Sequence, residues 1–255
     1  MRPRTGSSKS TMDLADAPDE GAEALTLAEE AHRRLRQDII SGAIPAGQPL
    51  RLEYLKDRYG ISFSPLREAL NRLQSKRLVV SAPSRGFRVA PFSEEEMWDV
   101  IETRIVIDCA ALRRSLKRGG DDWEVEVVAS FHALELATTQ RSSDASDSTV
   151  PANEQLEKRH YRFHRALIAA CESRSLLELS DQLYAQAERY RQPSLRDRTY
   201  WKLDRDVTAE HRQLLDTAIA RDAEAASALL AKHYRETGRM IRQVLSMSST
   251  MHAAT

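Results

Sequence analysis

The sequence predicts a mostly α-helical chain, with an N-terminal winged helix-turn-helix unit followed by an all-α helical bundle. Three observations point there. Residues 28–75 read as helix, short helix, glycine-bearing turn and helix, which is the helix-turn-helix order. Val79-Val80 and Phe87 to Ala90 flank the turn Ala82-Pro83-Ser84-Arg85-Gly86, as the two strands of a small wing do. After Ser93 every apolar pattern has the helical period.

Taken in order, residues 1–24 are rich in Ser, Asp, Ala and Gly without apolar periodicity, and are expected to be a disordered tail. A DNA-binding unit is expected over residues 25–92. Its first helix carries Ala28, Ala31, Leu35 and Ile39 at helical spacing and stops at the stretch Gly42 to Gly47, which contains Pro45. Arg33, Arg34 and Arg36 should form the solvated face of that helix. The second helix, Leu52 to Tyr59, ends at Gly60. Ser62 or Ser64 caps the third, with Pro65 in its first turn and Leu66, Ala69, Leu70 and Leu73 as its buried stripe. Pro91 and the cap Ser93-Glu94-Glu95-Glu96 then open a helical domain expected over residues 93–247. Its six helices run roughly Glu94 to Lys117, Asp121 to Gln140, Ala152 to Cys171, Ser175 to Arg191, Leu203 to Ala220 and Asp222 to Ser246. Arg141 to Pro151 is the longest loop, and residues 248–255 are expected to be a flexible end.

The 255 residues, 41% of them hydrophobic, suffice for two modest cores. No apolar run approaches the ~18 to 20 residues that span a bilayer, and the start lacks the apolar stretch of a signal peptide, so a cytoplasmic protein without membrane association is expected. Cys109 and Cys171 stand singly in helical patterns and read as reduced packing residues. The net charge of zero is unevenly spread: from Ala28 to Phe92 there are 12 Lys or Arg against 6 Asp or Glu. Such an excess fits a phosphate binder, although a solvated basic face is its commoner meaning.

Two features carry chemistry. His160 and His164 lie four apart on one helix, about 40° around its axis and one turn along it, so both imidazoles share a face and suit one metal ion. Alone, that spacing is more often a structural or surface pair. Arg104 sits among Ile101, Ile105, Val106, Ile107, Ala110 and Ala111, where a buried guanidinium needs an anion: Asp108, Glu102 or a bound carboxylate. The residues between the two histidines are Tyr161, Arg162 and Phe163. The Glu general base of H-E-x-x-H hydrolases is therefore missing, which argues against a metal-dependent hydrolase.

A longer pattern covers roughly Leu27 to Val244. It comprises Gly42, Pro45, Gly47 and Leu50; Leu55, Tyr59, Gly60, Ile61 and Ser62; Ser64-Pro65-Leu66-Arg67-Glu68-Ala69-Leu70; Leu73, Leu78 and Val79; and Gly86-Phe87-Arg88-Val89. On the helical side it continues through Glu102-x-Arg104, Phe163-His164, Glu210-His211 and His233. This resembles the GntR family of bacterial regulators, in the FadR-like branch that joins the winged helix to the helical ligand-binding domain called FCD. Within the branch, Leu50 to Val80 with Arg85 to Ala90 is most similar to regulators of short-chain dicarboxylate catabolism.

The resemblance implies a transcription regulator, a repressor, that binds a double-stranded DNA operator as a homodimer. Ser62, Phe63, Ser64, Arg67 and Asn71 would meet the major groove, Arg67 and Asn71 being suited to guanine and adenine. Arg51 would hold a phosphate, and Arg85, Gly86 and Arg88 would bring the wing to a minor groove. Phe63 departs from the family, which carries a basic residue there. The resemblance also implies one divalent metal on His160, His164, His211 and His233, zinc before nickel, since His160 replaces the family's Asp with a nitrogen donor. Arg104 would clamp a small carboxylate effector, a short dicarboxylate, and the signal would pass through the Ala90 to Ser93 connection. A regulator that responds to the metal alone is the other reading.

Overall fold

The computed structural model describes residues 25–82, 86–143, 150–196 and 205–253. The expected tail, residues 1–24, lies outside them. Thr26 caps α1 (Leu27–Ile40): its hydroxyl accepts the Glu29 amide at 3.2 Å while the Glu29 carboxylate accepts the Thr26 amide at 2.9 Å. α2 (Leu52–Tyr59) ends where Gly60 turns left-handed at φ +68°, a conformation that costs glycine little, and the chain re-enters helix at α3 (Phe63–Ser75). Leu66, Ala69, Leu70 and Leu73 are fully buried in one core with Leu35, Ile44 and Leu55. α3 is thereby fixed with its opposite face in solvent.

The wing has three strands, not the two expected. β1 (Pro49–Leu50) and β2 (Val79–Ala82) flank β3 (Gly86–Val89), both antiparallel, with Leu50 opposite Phe87 and Val80 opposite Arg88. A two-residue strand has no alternation to read.

The second core belongs to the helices. Ser93 caps α4 (Glu94–Arg118) by accepting the Glu96 amide at 3.1 Å. There follow α5 (Asp121–Ser143), α6 (Val150–Ile168), α7 (Arg174–Arg196), α8 (Val207–Ile219) and α9 (Ala223–Ala253). α4 is central, packing against α6, α7 and α9, and Leu112, Phe163, Leu167 and Leu214 are nearly inaccessible in the shared core. Gly238 of α9 permits the close approach of α4, since a Cβ there would lie 2.6 Å from Ile101 and 2.8 Å from Trp98.

Several helix ends differ from expectation: α5 runs to Ser143 and α6 starts at Val150, so helix enters both sides of the expected loop Arg141 to Pro151, and α7 continues past Arg191 to Arg196. α6 stops at Ile168 and tightens into a 3-10 turn, Ala169–Cys171, before Glu172 at φ +51°. α8 begins at Val207, because the Asp206 side chain accepts the Ala209 amide at 2.8 Å and sets the start there. α9 continues to Ala253 through most of the segment expected to be a flexible end, and no Gly or Pro interrupts it there. No helix among the described residues is long and apolar enough to cross a membrane.

The two units touch directly. Arg36 of α1 is ion-paired with Glu188 of α7, and Arg189 donates to the Arg77 carbonyl at 3.1 Å. The expectation that Arg36 belongs to a merely solvated face is thus corrected, whereas Arg33 and Arg34 are exposed and paired with Glu30.

Candidate functional site

Ser62 is the residue before α3; Phe63 and Ser64 open the helix, and Arg67 and Asn71 follow on its free side, all exposed. Among the described residues Arg67 makes no ion pair, because its neighbour Glu68 is taken by Arg72 at 2.5 Å. The Lys56 ammonium stands 5.5 Å from the Phe63 ring centre, so α2 brings a cation beside the position where Phe replaces a basic residue. Arg51 is exposed at the start of α2; Gly86, at φ +74°, and half-buried Arg88 lie on β3. Arg85 lies outside the described residues.

The four histidines meet inside the bundle. His160 and His164 come from α6, His211 from α8 and His233 from α9, and one ligand atom from each lies within 4.8 Å of the others. Their ring centres are 4.5 Å (His160–His164), 4.6 Å (His211–His233) and at most 6.3 Å apart. Nitrogens sharing one ion at about 2.1 Å are ~3.4 Å apart in a tetrahedron. Both nitrogens of His164 and Nε2 of His211 are buried without a hydrogen-bond partner, a costly state for groups shaped to donate a lone pair. The set fits a divalent transition ion.

Burial holds all four imidazoles below their ordinary pKa, and neighbouring cations add to the effect, so they stay neutral and retain their lone pairs. Two are oriented from behind. His233 Nδ1 faces Glu210 Oε2 at 2.7 Å. Burial would raise the Glu210 carboxyl, but hydrogen bonds from His233 and from Arg205 outweigh it and hold the group at about 2. Being ionised, Glu210 accepts from Nδ1–H and leaves Nε2 of His233 as the free donor atom. The Tyr184 hydroxyl donates to Glu157, so its oxygen accepts from His160 Nδ1 at 3.1 Å, and His160 likewise presents Nε2.

In protein stripped of metal, stability should fall as the pH is lowered through about 6.5. The unfolded imidazoles take up protons there while the buried ones, with lowered pKa, do not, so acid favours the unfolded chain. A melting temperature of chelator-treated protein that is flat between pH 7.5 and 5.5 would contradict this.

Two cavities flank the cluster. One is lined by Ile101, Arg104, Tyr184, Glu188 and Tyr234, the other by Leu134, Thr138, Leu156, Val207 and Thr208, and His160, Arg191 and Thr237 line both. Arg104 reaches the first cavity but has protein partners already: Asp108 at 3.2 Å, the Tyr234 hydroxyl at 2.8 Å, and the Tyr234 ring 4.1 Å beneath its guanidinium. Glu102, the other partner considered, binds Arg235 instead. Sequence reasoning missed Arg191, Tyr184, Tyr234 and Arg205. Nothing in their local pattern marks them, since each is brought to the site by helix packing. His132 is exposed and lies 4.0 Å from Glu135, and Cys109 and Cys171 are buried and free, as expected of the two cysteines.

Comparison with known proteins agrees with this architecture. Residues 27–89 match the family model described as bacterial regulatory proteins, gntR family, and residues 99–236 match that of the FCD domain. The chain is 38% identical to the HTH-type transcriptional regulator BphR of Paraburkholderia xenovorans strain LB400, covering 93% of this chain and 94% of that one. It is 34% identical to the HTH-type transcriptional repressor GlaR of Escherichia coli K12, covering 85% and 96%. Among solved structures, E. coli McbR/YncC shares the fold with a TM-score of 0.65 at 20% identity, covering 86% of this chain and 99% of that one. The chain therefore belongs to the GntR family of bacterial regulatory proteins, as a DNA-binding transcription regulator with an FCD domain and not an enzyme.

Proposed function

We propose that this regulator is a repressor that binds a pseudo-palindromic operator as a homodimer, and that its helical domain holds one divalent transition metal, zinc before nickel, on His160, His164, His211 and His233. A small organic acid, a short dicarboxylate, is the effector, with Arg104 as a cationic partner. The observation that carries the sensing half is the convergence of four buried, neutral imidazoles from three helices, three of their nitrogens lacking any hydrogen-bond partner. Four neutral donors leave the charge of a divalent ion uncompensated, which favours an anion beside it. For the DNA half, the exposed set Ser62, Phe63, Ser64, Arg67 and Asn71 on α3 reads bases, Arg51 holds a phosphate, and Arg85, Gly86 and Arg88 form the wing contact. One winged helix reads only a half-site, hence the dimer. The repressor assignment follows the name of the E. coli K12 relative.

A second reading is supported by the pairing of Arg104 with Asp108: a guanidinium already neutralised leaves the metal itself as the signal. Mass spectrometry of gently purified protein, followed by gel-shift titrations of stripped, zinc-loaded, and zinc-plus-succinate protein, separates the two. One zinc per chain with affinity changed by succinate supports carboxylate sensing. A change with zinc alone supports the metal-responsive regulator, and failure to retain stoichiometric metal ends both.

A further inference from the structure

One turn of α7 faces two ways. Glu188 and Arg191 line the cavity beside His160, and Glu188 is at the same time ion-paired with Arg36 of α1. Between them, Arg189 donates to the Arg77 carbonyl at 3.1 Å and to Glu96 at 2.8 Å, and the Tyr190 ring meets Phe92 edge-on at 5.3 Å. Four consecutive residues thus touch the cavity, the DNA-binding unit and the connection between them.

The cavity side is wired to the histidines. His160 Nδ1 donates to the Tyr184 oxygen, the Tyr184 hydroxyl donates to Glu157, and Arg191 is ion-paired with Glu157. Glu157 and Glu188 are both buried and repel each other, and Arg191 and Arg36 are the cations that make the pair tolerable. Burial holds the Glu188 carboxyl above its ordinary range, Glu157 adds to this, and Arg36 and Arg191 oppose it, so drawing Arg191 away favours the protonated form of Glu188, which pairs less strongly with Arg36.

We propose that Glu188–Arg191 of α7 is the coupling element between the cavity and the DNA-binding unit, with Arg191 as its positioning residue. An anion entering the cavity competes with Glu157 for the Arg191 guanidinium, and Glu188 then loosens its hold on α1. This rests on the reading of the cavity as the effector site, and it restricts effectors to anions. The coupling runs through a helix-to-helix contact beside the Ala90 to Ser93 connection, not through that connection alone.

Hydrogen exchange on the full-length, zinc-loaded protein tests it, read at the amides of α1 (Leu27–Ile40), with those of α5 as the reference for global opening. Glu188→Gln and Arg191→Gln are both expected to speed α1 exchange roughly three- to tenfold while α5 stays at the wild-type rate. Arg191→Lys, which keeps the charge, should retain most of the protection. Rescue of α1 protection by Arg191→Lys, which keeps the charge but not the guanidinium's shape and hydrogen bonds, separates an electrostatic role of Arg191 from a merely structural one. Wild-type α1 exchange in a folded Arg191→Gln variant overturns the proposal. If that variant does not fold, Glu157→Gln decides: relieving the repulsion on Glu188 should slow α1 exchange, and an unchanged or faster rate overturns the idea. Zinc content measured on the same samples judges the metal site separately: a protein that binds no zinc yet shows the Arg191 effect keeps the coupling and loses the metal.

Discussion

Replacing His164 or His233 by Ala is expected to abolish stoichiometric zinc binding and to lower the melting temperature of the zinc-loaded protein by ~8 to 16 °C. A metal that binds only the folded state contributes about 4 kcal/mol when its free concentration is 1,000 times Kd, and ~1 kcal/mol shifts the melting temperature of a 150- to 250-residue domain by about 2 to 4 °C. The informative quantity is the difference between loaded and stripped protein. In stripped protein His164 is a buried imidazole with neither nitrogen hydrogen-bonded, so truncating it removes an unsatisfied polar group as well as its packing. His164→Ala should therefore cost far less without zinc than with it. His233→Ala differs in one respect, because it strands the ionised Glu210 beside Arg205 alone. His132→Ala, at an exposed position on α5, should change neither metal content nor stability. Undiminished zinc in His164→Ala would remove the four-histidine site.

The legible and illegible parts of this chain divide by sequence distance. The α3 stripe, the Gly60 turn and the start of α4 are local, with each signal and its consequence within one or two turns of chain, and all three stand where the pattern places them. The pairing of His160 with His164 is equally local. Joining His211 and His233 to them needed the family resemblance, because no periodicity relates α6 to α8 and α9. Contacts that neither local pattern nor resemblance reaches leave no mark in the sequence. Tyr184, Arg191 and Tyr234 arrive at the site through the packing of α7 and α9 on α4. The pattern around Arg36 is that of a solvated residue, since its partner Glu188 lies 152 positions away. The strand Pro49–Leu50 is too short to alternate, and the start of α8 is set by the Asp206 cap instead of by the first apolar residue of the pattern.

On the DNA side, Arg67→Ala is expected to weaken specific operator binding by about 1 to 3 kcal/mol, roughly 5- to 150-fold, and to relax the preference at one position of each half-site. Three properties single Arg67 out. It projects from the first turns of α3, whose opposite face is locked by fully buried Leu66, Ala69, Leu70 and Leu73, so the helix cannot roll to hide it. It is exposed and, among the described residues, in no ion pair, because Arg72 occupies Glu68; no intramolecular bond has to break before it meets a base. Its guanidinium offers two parallel donors, the geometry that guanine N7 and O6 accept. Lys56 behaves differently. A point charge held over the Phe63 ring is suited to a phosphate, so Lys56→Ala should weaken specific and non-specific DNA about equally and flatten the salt dependence by about one counterion. The contrast between the two variants is the test. Should Arg67→Ala lower specific and non-specific affinity by the same factor, Arg67 grips the backbone and base reading must rest on Asn71 and its neighbours. Should specific affinity in a gel-shift titration be unchanged, Arg67 does not touch the operator at all.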